Sequence, residues 1–262
     1  YFSSAIEINK AYKLLQENTK KFPGFLPNHK NLGMINALLG SLPSGLKSAM
    51  STFGIRGNTQ VGVRMLENLI TTLPKSAYSH FYDEVVFCLS YVKLDILNDT
   101  GSYKSIFQNA EPIDSSSLLK TYILSYTGMK TAHNTDAIHT LYKRPAGKEY
   151  QAFPQLDYLL GIAKMHNLDP EAYVSLQTYL RNYKGINFVK DTYLNLACLA
   201  LLKGNVTAYS DYIDQVKLKG YAYHEKDKQA LNEASYPIPD VDLLKSRLLF
   251  DGGYYDKALN PI

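Results

Sequence analysis

Apolar residues recur at helical intervals along almost the whole of this chain. Residues 5–21 carry Ile6, Ile8, Tyr12, Leu14 and Leu15, then Lys20 and Lys21, and stop at Pro23-Gly24. Residues 28–39 carry Leu32, Ile35 and Leu39 on one side. A turn cluster at 40–45 and a short apolar stretch at 46–53 follow, closed by Gly54 and Gly57. The spacing predicts further helices over 59–73, 81–97, 118–128, 134–141, 155–166, 171–183 and 206–216, with another opening at 103–107. In 155–166 the stripe Leu156, Leu159, Leu160, Ala163 is that of a half-buried helix. Asp169-Pro170 supplies an N-cap followed by proline at the first helical position. No stretch alternates apolar and polar as a strand does, and no tight hairpin turn joins β-branched runs. The expected class is all-α.

The helices fall into a repeat frame. With Gly33 at the eighth position of a helix–turn–helix unit of about 34 residues, Leu32 takes the seventh, Gly40 the fifteenth, and Pro23 closes the preceding unit. With Gly57 as a second fifteenth position, Leu66, Leu69 and Pro74 also fit. The simplest account is an insertion at 41–57 between the two helices of one repeat. Tyr193, Leu196, Ala197 and Gly204 match again, and so do Gly252, Gly253, Tyr255 and Ala258. This frame predicts a tetratricopeptide-like array of antiparallel helix pairs, an α-α superhelix, as a single domain over 1–262. Small residues at the eighth position mark the closest helix approach, which assigns Gly33, Gly161 and Ala197 to that role. Only four residues follow Ala258. This implies that the natural chain continues or that order is lost there, and that the apolar face of 243–250 is partly uncovered.

One block goes beyond a generic repeat. Leu32-Gly33, Gly40-Ser-Leu-Pro43, Phe53-Gly54-Ile-Arg-Gly57-Asn58 and Gly62 together resemble the N-terminal part of the inclusion-body clearance proteins, a tetratricopeptide family. The resemblance covers the segment 32–66 well and the remainder only as repeats. It implies an all-α, non-enzymatic, adaptor-like protein, and it transfers no site residue.

Composition narrows the picture a little. Tyrosine is abundant, 22 residues against 10 Phe and no Trp. In stacked helices Tyr fills interhelical gaps while its hydroxyl stays near water, and a Tyr-rich binding face is the functional alternative. A net charge of +4 is a weak field over this length and does not imply nucleic acid. No apolar run reaches membrane-span length; the longest, 194–202, is broken by Asn195 and ended by Lys203-Gly204. Cys88 and Cys198 sit in separate helical patterns without a CxxC partner, so buried free thiols are expected. The chain starts at Tyr1 without a signal peptide. A processed start is compatible with a periplasmic or secreted location, an unprocessed one with the cytoplasm.

Candidate chemistry is sparse. Asn195 sits where chaperone-binding repeats place a carboxylate-clamping Asn, but the matching cationic positions in the last repeat are Asp240 and Leu244, and Asp240 would repel a carboxylate. His80 and Glu84 share a helix face, with Asp83 adjacent, yet no third and fourth metal ligand follows. His133 and His139 do not share a face. Gly54 and Gly57 lie between helices, which argues against a phosphate loop. Segment 217–226 interleaves Lys217, Lys219 and Lys226 with Tyr221 and Tyr223, as single-strand binders do; the nearby Glu225 and Asp227 favour a solvated loop. Asn98 and Asn205 head glycosylation-type triplets that matter only in a eukaryotic secretory setting. The expectation is a protein- or peptide-binding scaffold, not an enzyme. It takes no cofactor or metal, does not partner nucleic acid, and small-molecule binding is not favoured. The alternative is a surface glycan- or nutrient-capture module.

Overall fold

A computed structural model describes residues 2–52, 54 and 56–259, with only the backbone for 2–6, 49 and 52. Phe53 and Ile55 of the glycine block, the Ile6 side chain and the tail 260–262 lie outside the described residues. The described residues form helices and turns, with no strand. Two compact units divide the chain, Tyr1–Ile123 and Leu124–Ile262, and the division falls inside one helix, α7 (Leu118–Lys130).

In the first unit α1 (Phe2–Lys21), α2 (Pro27–Ser41), α3 (Ser44–Thr52), α4 (Thr59–Thr72), α5 (Tyr82–Tyr91) and α6 (Tyr103–Ala110) follow in order. The principal pair is α2 with α4, and α3 lies in the connection between them. Glycines set that approach. A Cβ on Gly62 would lie 2.4 Å from the Gly33 carbonyl oxygen and 2.7 Å from the Ala37 nitrogen. One on Gly57 would lie 2.3 Å from Leu39 Cβ. α4 starts at Asn58, whose side chain accepts from the Val61 amide at 3.0 Å and meets one of the free N–H groups of the first turn. Its buried face, Val63, Leu66 and Leu69, packs with Leu73 below it. The stripe of α5, Val85, Val86 and Leu89, continues into Val92 and Leu94 through a wider π turn at Val92–Ile96. The sequence pattern reads this whole stretch as one regular helix.

In the second unit α8 (Asn134–Tyr142), α9 (Gln155–His166), α10 (Ala172–Asn182), α11 (Val189–Leu202), α12 (Val206–Leu218), α13 (Glu225–Glu233), α14 (Val241–Asp251) and the single turn α15 (Tyr255–Ala258) follow. Consecutive helices pair, α9 with α10 and α11 with α12 most extensively. Gly161 marks one close approach, since a Cβ there would lie 2.5 Å from Leu176 Cδ2. Ala197 is fully buried in α11.

The unit also folds back on itself. α14 packs on α9 and α11, and the turn after it returns to the turn before α8. A Cβ on Gly253 would lie 2.5 Å from Ala132 Cβ. The Tyr254 hydroxyl accepts from Asn134 Nδ2 at 3.2 Å and pairs with Thr135 Oγ1 at 3.1 Å.

Candidate functional site

A cleft of about 360 Å³ opens in the second unit between α11, α12, α14 and the connection from α13 to α14. That is within the usual size range of ligand pockets. Its floor is Leu194, Cys198, Tyr209 and Leu244, all buried. One wall is Tyr236-Pro237-Ile238-Pro239. Two prolines fix their own φ and hold the preceding residues extended, so this wall is set in place without helix or strand. Asn232 Nδ2 donates to the Tyr236 hydroxyl at 3.2 Å and steadies the ring. Asp240 then caps α14 by accepting from the Asp242 and Leu243 amides at 2.9 and 3.0 Å.

The charged groups lining the cleft form one ion pair, Arg247 with Glu233 at 3.4 Å. Arg247 also borders a second hollow, lined by Ser246, Phe250, Tyr255, Ala258 and Leu259. Leu243, Arg247 and Phe250 stand at i, i+4 and i+7, on one face of α14. Leu243, Phe250, Tyr255 and Leu259 are each more than half exposed, whereas Leu244, Leu248 and Leu249 are buried. Together they make an apolar strip with a guanidinium near its middle.

Burial keeps two titratable groups near the cleft, Cys198 and His166, uncharged. Burial pushes the Cys198 thiol up to about 12, which removes the thiolate that nucleophilic chemistry uses. His166 on α9 is pushed down to about 4 by burial, with Lys226 and Arg247 adding to the effect. Burial raises Asp251.

Behind the cleft lies a buried polar network. Asp227, fully buried on α13, accepts from the backbone amides of Phe188, Lys190 and Asp191 at 2.6, 2.9 and 3.2 Å. It therefore closes the N-terminus of α11, where a carboxylate is favoured by the helix dipole. Lys190 reaches the other way and donates to the Val216 carbonyl at 2.6 Å, at the end of α12. Asp191 accepts from the Tyr158 hydroxyl at 2.6 Å and from Asn195 Nδ2 at 2.9 Å; burial raises the pKa of both Asp191 and Tyr158. Apart from the Asn195–Asp191 bond, which lies within α11, these contacts link α11 to α9, α12 and α13.

The residues singled out from sequence fall apart in space or are occupied. Asn195 is held by Asp191, including its carbonyl at 2.8 Å, and Leu244 is buried, so no carboxylate clamp forms. Glu84 pairs with Lys30, and the His80 ring stacks on Phe81 at 4.3 Å. No cluster of three or more metal-ligating side chains occurs among the described residues. His133 Nδ1 bonds the Thr131 carbonyl at 2.6 Å within a turn, and His139 is exposed. In 217–226, Tyr221 and Tyr223 stack on each other, while Asp227 turns inward to its cage. The expected loop 217–226 is helical at both ends, since α12 runs to Leu218 and α13 begins at Glu225. Asn98 has a left-handed φ of 51°, and Asn205 caps α12. Cys88 is half-buried and Cys198 buried, both free. No described helix is long and apolar enough to cross a membrane. The exposed apolar face of 243–250 agrees with the sequence expectation; the Pro237–Pro239 wall is the feature that sequence patterning did not assemble.

Comparison with known proteins gives no matching family model, no similar curated protein and no similar solved structure.

Proposed function

We propose that the protein is a non-enzymatic, tetratricopeptide-like scaffold that binds a segment of another protein along α14. The observation that carries this reading is the exposed line Leu243–Arg247–Phe250, flanked by a cleft on one side and a hollow on the other. An amphipathic helix or extended segment can lay apolar side chains into both depressions. Arg247, already paired with Glu233 at the surface, offers a donor fork for an acidic side chain of the segment. A thiol held protonated and a histidine held neutral suit packing in this reading, not proton or acyl transfer. The experiment is selection from a random peptide display library on the purified protein, followed by titration of the enriched peptides. Enriched peptides should pair apolar residues with an acidic one, and their affinity should fall at least tenfold with Leu243→Asp, Phe250→Asp or Arg247→Glu. Affinity unchanged in all three variants would refute the assignment.

A second reading, glycan capture, is supported by one feature. Exposed Tyr221 and Tyr223 lie near-parallel, 10° apart in plane with centroids at 5.3 Å, and present a ring face on which a sugar could stack. Binding on an oligosaccharide array that disappears with Tyr223→Ala would favour it over the peptide reading.

A further inference from the structure

The helix α3 buries none of its described side chains, all of which are exposed or half-buried. A Cβ added at Gly45 would meet nothing. Yet it carries Leu46 and Met50 at i and i+4, continuing the spacing of Leu42, and Leu46 is 54% exposed. An isolated helix of nine residues is too short to hold itself in water by propensity alone. Its polar positions are Ser44, Lys47, Ser48 and Ser51.

Charge adds a second, independent observation. From Glu17 to Glu67 the chain contains no acidic residue at all, while Lys20, Lys21, Lys30, Lys47, Arg56 and Arg64 fall between them. Lys30 is taken by Glu84 at the start of α2. Lys47, Arg56 and Arg64, which are exposed, lie in α3, in the connection behind it and in the first half of α4. The close approach of Gly40 to Thr59 places the start of α4 beside the end of α2, from which α3 departs. One end of the α2–α4 pair therefore combines projecting apolar side chains with cations. Asp95, beyond α5, lies in the π turn that packs on α2.

We infer that α3 and its basic flank seat on the surface of a bilayer containing anionic lipid. The short serines and two or three cations offer no fixed array of donors and acceptors of both signs, such as a folded protein partner would read. They do suit a fluid interface, where apolar side chains enter at the level of the acyl boundary and cations remain among the headgroups. The binding is peripheral and salt-sensitive, since it joins a small apolar area to a screened attraction. It is independent of the α14 strip, which belongs to the other unit.

The chain has no Trp, so Leu46→Trp in the full-length protein gives a single-site reporter. Vesicles of phosphatidylcholine alone and of phosphatidylcholine with phosphatidylglycerol in equal parts are the probes. With the anionic vesicles the indole emission should shift to the blue, and the protein should co-sediment. With neutral vesicles neither should occur. Leu46→Asp, and separately Lys47→Glu with Arg56→Glu, should each lower the partition coefficient by on the order of tenfold or more, with unchanged circular dichroism. The inference is overturned by a protein that stays in the supernatant with both vesicles, by sedimentation without a blue shift, or by binding indifferent to Leu46→Asp. Saturable binding to polyglutamate without binding to anionic vesicles would equally overturn it in favour of an acidic polypeptide partner.

Discussion

Adding a single methyl group at Gly62 tests the core of the first unit. Its Cβ would stand 2.4 Å from the Gly33 carbonyl oxygen, 2.7 Å from the Ala37 nitrogen and 3.0 Å from Ala37 Cβ. Two of those three atoms are backbone of α2 and cannot rotate away, so α2 and α4 must separate. At Gly33 the same methyl meets Leu66 Cγ at 3.0 Å and the Gly62 carbonyl oxygen at 3.2 Å, and a leucine side chain can yield. Glycine to alanine inside a helix gains about 1 kcal/mol of propensity, whereas overpacking costs about 1–3 kcal/mol. Gly33→Ala should therefore be close to neutral, whereas the backbone clashes at Gly62 put its overpacking at about 2–3 kcal/mol, for a net loss of about 1–2 kcal/mol in Gly62→Ala. Gly33→Leu, which cannot be absorbed by Leu66, should lose about 1–3 kcal/mol. Urea unfolding followed by circular dichroism reads this as a midpoint lower by roughly 0.5–1 M for Gly62→Ala. Hydrogen exchange of α2 and α4 peptides locates the loss. A Gly62→Ala midpoint at or above that of the parent protein would show that the two helices are not in contact at these glycines.

Three further outcomes follow from the second unit. His166 is neutral in the fold down to about pH 4 but titrates near its ordinary 6.5 when unfolded, so only the unfolded chain takes up a proton between those values. Stability should fall by about 1–2 kcal/mol from pH 6.5 to pH 5 and not change on this account above pH 6.5; urea midpoints should show a flatter slope in that window for His166→Gln. Asp227→Ala removes the acceptor of three amides, two of them buried, and should cost about 2–4 kcal/mol, seen as lost exchange protection at the start of α11. Gly253 has a φ of +78° and abuts Ala132, so Gly253→Ala should release the α14–α15 turn, with raised exchange there and unchanged protection in α12.

The parts of this fold that were legible in the sequence are those held by periodic apolar residues and by glycines at crossings. Repeat spacing alone puts Gly33 and Gly161 at helix contacts and Ala197 at a buried position, because contact between neighbouring helices leaves a local trace. α13 left none. Its buried residues are Asp227 and Ala230, so it has no apolar stripe, and it is docked through a carboxylate gripping the backbone of α11. The acidic residues that suggested a solvated loop are, in Asp227, the anchor. The π turn after Tyr91 was hidden for the opposite reason, since its Val92 and Leu94 keep the apolar pattern while the backbone widens. The return of Gly253 and Tyr254 to residues 132–135 spans some 120 positions, and no spacing rule reaches across that distance. At the candidate site, the apolar positions of 243–250 were legible in the sequence. The cleft was not, because its wall is irregular backbone shaped by Pro237 and Pro239.

That long return also explains why α14 can present an apolar face without losing its place. A terminal helix of a simple array is packed on one side only, and its free end frays. Here Leu244, Leu248 and Leu249 are buried against α9 and α11, Asp240 closes the N-terminus, and the Gly252–Tyr254 turn fastens the other end to Asn134 and Thr135. The helix is fixed at both ends and along one side. Leu243, Arg247 and Phe250 are thus presented on a rigid support, so an incoming segment does not have to order them. Ordering costs of this kind often decide whether a modest apolar surface binds at all. The same closure places His166 beneath the helix, where a Cβ on Gly252 would come within 2.9 Å of His166 Cβ. Protonation of that ring near pH 4 would loosen the support before it touched the face. Loss of peptide affinity on acidification should accordingly track the stability of the α9–α14 contact, not the charge of Arg247.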